Sequence, residues 1–258
     1  MDFRNQTALI TGASAGIGAE FARRLASRGA NLVLVARRRD RLDELAAELR
    51  SAHGVAVEVV PFDLARPDAG RALRRIVTQP VHVVVNNAGF GNYGPFVAED
   101  PDRLAAMIQV NIAALTDVSH AFLPAMIEAG EGTLLNIASV AAYAPTPSMP
   151  VYGATKAYVL NFTEALAYQL RTTKIRVLVY SPGATESEFF DVVGTRDAGG
   201  GRWQTPAQVV TGALRALDGR SPSAVASFPN RAMVSIARLL PRRWSLNLGG
   251  RLTYRDAA

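Results

Sequence analysis

Short apolar runs rich in β-branched residues alternate with helical patterns through most of this chain. The apolar character is nearly continuous within each run, which is typical of strands buried on both faces of a sheet. Strands that alternate with helices pair in parallel through right-handed crossovers. The pattern therefore predicts an α/β protein with a doubly wound parallel sheet of about seven strands and helices on both faces. The predicted strands are residues 8–10, 32–35, 55–60, 81–85, 133–137 and 175–179, and the predicted helices are residues 19–27, 40–50, 67–77, 101–120 and 152–171.

The composition excludes several classes of protein. A chain of 258 residues with 49% hydrophobic content is expected to form one domain over residues 1–258. Cysteine is absent, and His53, His82 and His120 show no ligand spacing, so no catalytic metal is predicted. No run of about 18 uncharged apolar residues and no signal-type segment stands out, which favours a cytoplasmic protein.

The chain is basic, with a formal net charge of +6 and a pI near 10.0. Nucleic-acid binding would need basic residues clustered with stacking aromatics, but only 7% of the residues are aromatic. The densest basic cluster, residues 37–39, lies where a cofactor phosphate could use it. The charge is therefore assigned to a solvated surface and to small anionic ligands, and no nucleic-acid partner is predicted.

The last third of the chain is less regular. Periodicity fails from about Pro182 to Pro206, and a substrate loop is predicted over residues 187–205, because a loop this long in a compact domain is usually functional. A helix near residues 207–217 and a basic, apolar tail over residues 230–258 follow. Such a tail can lie on an anionic membrane, but it is expected to dock on its own domain or on a partner subunit.

A glycine-rich turn stands between the first predicted strand and the first predicted helix. Glycines allow a tight turn and a close approach of a pyrophosphate to the backbone, and the start of a helix supplies unpaired N–H groups. Because the strand, turn and helix occur together, the segment predicts a dinucleotide cradle rather than an ordinary turn. The residues of this turn are Gly12, Ser14, Ala15, Gly16, Ile17 and Gly18.

The end of the second predicted strand indicates which dinucleotide is preferred. A site for NAD usually has an acidic residue here to bind the ribose 2′-hydroxyl, whereas this chain has Ala36 followed by Arg37 and Arg38. Guanidinium groups match a 2′-phosphate and an acid would repel it. The sequence therefore predicts NADP(H), with a solvent-facing basic loop as the alternative.

Tyr152 and Lys156 are one turn apart at the start of a predicted helix. A phenol with a pKa near 10 is a poor base at neutral pH, but a neighbouring positive charge lowers that pKa. The pair could therefore transfer a proton in a reaction. The spacing alone is common, so the assignment depends on the other motifs.

Four further motifs occur in a fixed order around this pair. Residues 86–89 read Asn-Asn-Ala-Gly after the fourth strand, Asn111 lies in a long helix, residues 136–139 read Asn-Ile-Ala-Ser, and Pro182-Gly183 closes the sixth strand. With Tyr152 and Lys156, this order resembles the short-chain dehydrogenase/reductase family. The resemblance covers residues 7–190 and implies a Rossmann-like domain that binds its cofactor and carries out catalysis there.

The resemblance also implies a role for each catalytic residue. Tyr152 would be the general acid in reduction and the base in oxidation, and Lys156 would lower its pKa and hold the nicotinamide ribose. Ser139 would hydrogen-bond the substrate oxygen, and Asn111 would position a water that links Lys156 to solvent. Family members commonly pack their long helices across a twofold axis, which implies a homodimer or homotetramer.

The cofactor contacts implied by the resemblance extend beyond the glycine-rich turn. Arg37 and Arg38 would meet the 2′-phosphate, and Thr185 and Ser187 are alternatives for one contact to the nicotinamide. The remaining residues implied at the cofactor are Asp63, Leu64, Asn87, Ala88, Gly89, Tyr152, Lys156, Pro182 and Gly183.

Two positions depart from the family pattern, and a second tyrosine lies near the predicted site. His82 stands where the family often has Asp, and Ala138 replaces a frequent Ser, but neither position has a chemical role in the family scheme. Tyr143 lies near Ser139 but lacks a lysine one turn on, so it is expected to line the substrate pocket or to pack.

The expected substrate is a small molecule with a carbonyl or alcohol group and an apolar body. Phe90, Tyr93, Phe96 and Met149 are predicted to form the pocket with the substrate loop, and no arginine is evident that would bind a carboxylate. Two alternatives to a reductase stay open. One is an NADPH-binding redox sensor or scaffold without turnover, and the other is an epimerase or dehydratase that uses the cofactor transiently.

Overall fold

The computed structural model describes residues 2–195, 203–241, 243–244 and 246–247. These residues contain a seven-stranded, fully parallel sheet in the order β3-β2-β1-β4-β5-β6-β7. The predicted single-domain, doubly wound and Rossmann-like fold is confirmed. The strands are β1 (Thr7–Thr11), β2 (Asn31–Ala36), β3 (Val57–Pro61), β4 (Val83–Asn86), β5 (Gly132–Ile137), β6 (Ile175–Ser181) and β7 (Ser223–Val225).

Helices cover both faces of the sheet, as predicted. Each predicted helix exists, and the ends differ by a few residues except in the 101–120 helix. The helices are α1 (Gly16–Ala26), α2 (Arg39–His53), α3 (Ala69–Ile76), α4 (Pro101–Ile108), α5 (Leu115–Ala129), α6 (Pro150–Gln169), α7 (Phe189–Val193), α8 (Pro206–Leu217) and α9 (Phe228–Leu239).

The core lies in two layers because alternate residues of each strand point to opposite faces. Ile10 and Leu34 pack on one face with side chains of α1, α2 and α8. Leu9 and Val33 pack on the other face with side chains of α3 and α5. Both layers are buried, which explains why the strands read as continuous apolar runs.

The predicted helix over residues 101–120 is longer and is interrupted. It runs to Ala129, and the residues between α4 and α5, Gln109–Ala114, form a π-helical turn. Residues 101–129 have the length and apolar composition of a membrane-spanning helix. However, Val118 and Phe122 of α5 are buried in the core layer beneath the sheet, as in a core helix of a globular domain.

Three elements of the last third, β7, α7 and α9, had no counterpart in the strands and helices read from sequence. β7 is three half-buried residues that extend the sheet beside β6. α9 begins at Phe228, two residues before the predicted basic tail, and runs into it. The expected substrate loop contains α7, and Gln204 near its end forms an isolated pairing with Thr185, which precedes the loop. Residues 196–202 of that loop and most of the tail after Pro241 lie outside the described residues.

The strand order reverses between β1 and β4, which are neighbours in the sheet although β2 and β3 separate them in the chain. Ligands of open α/β sheets bind at such a switch point, outside the carboxyl ends of the strands. The glycine-rich turn follows β1 and the Asn-Asn-Ala-Gly turn follows β4 at this point.

Candidate active site

A cavity of about 1470 Å³ opens along the carboxyl ends of the strands. It brings together the glycine-rich turn, the end of β2, the turn after β4, the start of α6 and parts of α7 and α9. Of the residues predicted at the cofactor or in catalysis, all but Gly18 and Asn111 line this cavity. Residues from seven separate parts of the sequence are therefore in one site.

The glycine-rich turn leaves no room for side chains. Gly12 has a φ of +68°, and a Cβ there would lie 2.9 Å from Nδ2 of Asn87. A Cβ on Gly18 would lie 2.2 Å from the carbonyl oxygen of Gly12, so Gly18 supports the turn from behind and does not face the cavity. Helix α1 begins at Gly16, and no side chain caps its first N–H groups. The backbone here fits an anionic ligand.

Asn87 fixes this turn in place. Its Nδ2 donates to the carbonyl oxygen of Thr11 at 3.0 Å, and its backbone N–H donates to Oγ1 of Thr11 at 3.0 Å. The Ala88 N–H donates to the same hydroxyl oxygen at 3.1 Å. The turn after β4 therefore holds the turn after β1, a role that the sequence did not indicate.

The two arginines predicted at the 2′-phosphate, Arg37 and Arg38, both line the cavity. The Arg38 guanidinium donates to Oγ of Ser14 at 3.1 Å and to the Glu188 carboxylate at 2.6 Å. Asp63, predicted at the adenine, also lines the cavity, and its Oδ1 accepts the Ala65 N–H at 3.0 Å.

Tyr152 is buried at the centre of the site, and it lines the cavity together with Ser139. Burial raises the pKa of Tyr152 to about 12, and the Ser139 hydroxyl acts in the opposite direction. The phenol is therefore protonated at neutral pH in the protein without ligand, which is the form that a general acid needs.

Lys156 lies on the same side of α6, with its Nζ 5.8 Å from the centre of the Tyr152 ring. Nζ donates to the carbonyl oxygen of Ile137 at 2.9 Å, which directs the amine into the site. Burial lowers the pKa of Lys156 to about 8. The amine can therefore exchange its proton near neutral pH.

Asn111 lies in the π-helical turn and reaches the site from behind. Its Nδ2 donates to the carbonyl oxygen of Phe90 and to Oγ1 of Thr155, and its Oδ1 accepts the Phe90 N–H at 3.1 Å. A Cβ on Gly89 would lie 2.9 Å from this Oδ1 and 3.3 Å from Nζ of Lys156. Gly89 thus leaves an opening between the two side chains. π-Helical turns of this kind frequently occur at functional sites.

A buried polar network supports the floor of the site. Nδ2 of Asn86 donates to Oγ of Ser119 at 3.0 Å and to Oδ1 of Asn136 at 2.9 Å. Nδ2 of Asn136 then donates to Oγ1 of Thr163 at 2.9 Å. The network links β4 and β5 to α5 and α6. The sequence motifs contain both asparagines, but their connection depends on the strand register.

The substrate end of the cavity differs in part from the prediction. Phe90 and Met149 line it as expected, and Tyr93 packs in the apolar cluster behind Met149 and Tyr152. Phe96 was placed wrongly, since its side chain is 56% exposed in a 3-10 turn and does not line the cavity. Only tertiary packing decides which way that turn faces.

Arg103 is a charged residue of the substrate end that sequence reasoning missed. It lines the cavity and donates to the carbonyl oxygen of Val192 at 2.7 Å, and its guanidinium lies 6.0 Å from the centre of the Phe90 ring. The sequence analysis named no arginine here that would bind a carboxylate, and the structure places Arg103 at this end of the cavity. The guanidinium is engaged in holding α7 over the cavity.

The remaining positions have local roles. Thr185 and Ser187 both line the cavity, and Oγ1 of Thr185 donates to the carbonyl oxygen of Gly183 at 3.0 Å. Tyr143 also lines the cavity, with its hydroxyl 3.2 Å from Oγ of Ser181. His82 accepts the Thr7 N–H on its Nδ1 at 3.0 Å, which is a structural contact between β1 and the start of β4.

Comparison with known proteins places the chain in a family. Residues 6–197 match the family model of short chain dehydrogenases. Sulfoacetaldehyde reductase 2 of Chromohalobacter salexigens is 41% identical over 192 residues, which are 70% of this chain and 73% of that protein.

Two solved structures are similar over almost the whole fold. A short-chain dehydrogenase from Sphingobium yanoikuyae in complex with NADPH is 36% identical, with a TM-score of 0.82 and coverage of 98% of this chain and 97% of that one. The bulky-bulky ketone specific alcohol dehydrogenase from Comamonas testosteroni is 31% identical, with a TM-score of 0.77 and coverage of 98% and 96%. The chain therefore belongs to the short-chain dehydrogenase/reductase family of oxidoreductases.

Proposed function

We propose that this protein is an NADP(H)-dependent reductase of apolar ketones or aldehydes, with Tyr152 as general acid. The observation that carries the proposal is the Tyr152 side chain, which is buried and lines the same cavity as Ser139 and the glycine-rich turn. Residues 7–190 would bind the cofactor and carry out catalysis, and residues 187–205 would form the substrate loop.

The cradle supports a dinucleotide. Two features fit a pyrophosphate: the backbone without side chains at Gly12 and Gly16, and the uncapped start of α1. The arginines at the end of β2 fit a 2′-phosphate. When bound, the reduced nicotinamide supplies a hydride to the substrate carbon. The Sphingobium yanoikuyae structure, solved with NADPH, supports this choice of cofactor.

The chain's own residues would handle the proton. The substrate oxygen would accept hydrogen bonds from the Tyr152 and Ser139 hydroxyls, which stabilise the negative charge that develops there. Tyr152 would transfer its proton to that oxygen, so that the carbonyl gains a hydride and a proton and becomes an alcohol. Lys156 would stabilise the resulting phenolate by its positive charge.

Asn111 would connect Lys156 to a proton source. Both N–H groups of its amide are engaged with Phe90 and Thr155, while Oδ1 accepts one hydrogen bond from the protein and has capacity for another. A water held by Oδ1 in the opening beside Gly89 would return a proton to Lys156 and then to Tyr152.

The substrate end favours an apolar molecule. Its walls include Met149, Phe189, Phe190, Met233 and Leu240. The Comamonas testosteroni enzyme, specific for bulky-bulky ketones, is similar over 98% of this chain, which supports this choice. By comparison, the sequence similarity to sulfoacetaldehyde reductase 2 extends over 70% of this chain.

Arg103 favours a second substrate class, a small anionic aldehyde. Sulfoacetaldehyde reductase 2 is named for such a substrate. In this chain the Arg103 guanidinium is engaged with the Val192 carbonyl oxygen and the Phe90 ring. The apolar substrate is therefore the primary proposal.

The test is a substrate panel followed by the loss of NADPH absorbance, with NADH in parallel. We expect turnover of apolar ketones that prefers NADPH and falls by roughly 10²–10⁴-fold in Tyr152→Phe. Tyr158→Phe, on the outer side of α6, is the matched control. Faster turnover of anionic aldehydes that depends on Arg103 would overturn the apolar substrate. Tight NADPH binding without turnover of any carbonyl would favour the redox sensor.

A further inference from the structure

The charge of this chain is distributed unevenly. Residues 219–255 contain seven arginines and no aspartate or glutamate. Without this stretch, the rest of the chain would have one more acidic residue than basic residues, so the net charge of +6 arises in the last part of the sequence. This part includes α9.

Helix α9 presents an apolar ridge to solvent. Phe228 is 74% exposed and Leu239 is 86% exposed. They are eleven residues apart, which is close to three helical turns, so both point to the same side of α9. Ile236 is also exposed at the edge of this side, and Trp244 is exposed beyond the helix.

Arginines flank the ridge. Arg231 and Arg238 are seven residues apart, close to two turns, and therefore lie on one flank of α9. Both are exposed, and neither forms a salt bridge within the described part of the chain. Arg238 instead lies over the ring of Tyr143, with its guanidinium carbon 4.8 Å from the ring centre.

The opposite side of α9 forms part of the cavity wall. Val234 is buried there, and Ala237 and Leu240 line the cavity. Ile236 both lines the cavity and is exposed, so it stands at the rim. The apolar ridge and the apolar cavity are therefore the two sides of one helix.

We propose that α9, together with Arg243 and Trp244, is a docking surface for an anionic lipid bilayer, with the rim of the cavity held close to the lipid. An apolar ridge with basic residues on its flank is the pattern of helices that lie in the membrane interface. A second copy of this chain would be a poorer partner for this surface than an anionic bilayer. Outside residues 219–255 the chain has almost no net charge, so it would attract the arginines only weakly. Trp244 is of the residue type that favours the interface region.

Docking in this orientation would let a ketone dissolved in the bilayer enter the cavity past Ile236. This consequence rests on the proposed function, whereas the docking itself does not.

The docking test uses the full chain and vesicles of phosphatidylcholine with or without phosphatidylglycerol, measured by co-sedimentation. We expect the protein to bind the vesicles that contain phosphatidylglycerol and to dissociate as salt rises. The double variant Phe228→Asp and Leu239→Asp should bind roughly tenfold or more weakly, because two apolar side chains no longer enter the lipid.

Val97→Asp is the matched control. Val97 is 92% exposed and lies close in sequence to Glu99, Asp100 and Asp102, so an anionic bilayer would not attract it. The control should bind as the unaltered protein does. Equal binding by the double variant would overturn the proposal. The absence of vesicle binding by the unaltered protein would also overturn it. That conclusion holds even if light scattering shows that the double variant separates a dimer into monomers.

A second measurement separates docking from catalysis. The double variant should reduce a water-soluble ketone at the normal rate, since Phe228 and Leu239 do not line the cavity, but should reduce a long-chain ketone supplied in vesicles more slowly. Equal rates with the vesicle-borne ketone would overturn delivery from the bilayer. An inactive but vesicle-binding protein would refute the proposed function and leave the docking surface intact.

Discussion

The Arg38 guanidinium lies 2.6 Å from the Glu188 carboxylate across the mouth of the cavity. Arg38 follows β2 and Glu188 directly precedes α7, so the ion pair joins the cofactor end of the site to the substrate loop. The same guanidinium is proposed to bind the 2′-phosphate of NADPH. The phosphate and Glu188 would therefore compete for one partner.

Glu188→Gln is expected to strengthen NADPH binding by roughly two- to fivefold, the range of an exposed ion pair. NADH binding should be unchanged, because NADH lacks the phosphate. Fluorescence titration of both cofactors measures this effect. Glu186→Gln, an exposed position two residues earlier, is the control. An equal change for NADH and NADPH would show that Glu188 acts on the loop and not on the phosphate site.

Gly89→Ala is expected to lower kcat by roughly ten- to a hundredfold at saturating NADPH, because the added Cβ would displace the Asn111 and Lys156 side chains. The thermal midpoint should change little. Gly219→Ala, where a Cβ would make an ordinary contact at 3.4 Å, is the control. An unchanged kcat would argue against a proton path between Asn111 and Lys156.

Lys156→Met is expected to be more stable than the unaltered protein at pH 7, although inactive. Burial lowers the pKa of Lys156 from its usual 10.5 to about 8, so the folded protein holds this proton less tightly than the unfolded chain. The unaltered protein should therefore gain stability as pH rises from 8 to 10.5, by an amount on the order of 3 kcal/mol. The difference between the two proteins should shrink over this range.

Denaturant unfolding at several pH values measures this difference. Lys174→Met is the control for the substitution itself, because Lys174 is exposed. A pH-independent difference for Lys156→Met would mean that the buried amine does not titrate near pH 8.

Asn136→Leu is expected to lower the free energy of unfolding by about 2–4 kcal/mol, because the buried Asn86 amide loses an acceptor and the Thr163 hydroxyl loses a donor. The exposed Asn161→Leu on α6 should cost much less. Both values follow from denaturant unfolding. Equal costs for the two variants would show that the network beneath the site adds no stability.

Local patterns in the sequence were sufficient for the architecture and for most of the site. The continuous apolar strands predicted a sheet buried on both faces. This was possible because the burial pattern repeats over a few residues and can be read within a single strand or helix. The glycine-rich turn and the spacing of Tyr152 and Lys156 are also local, so their geometry follows from the backbone of one turn or one helix.

Tertiary structure alone decided the relationships between distant segments. Arg38 meets Glu188 across 150 positions, Arg103 holds α7 at Val192, Phe96 turns away from the cavity, and the π-helical turn delivers Asn111 to Phe90. β7 is stabilised by pairing with β6 and is too short to show a period. α9 is stabilised by packing where it forms part of the cavity wall. These contacts depend on how the loops pack together, for which residue propensities and short-range periodicity contain no information.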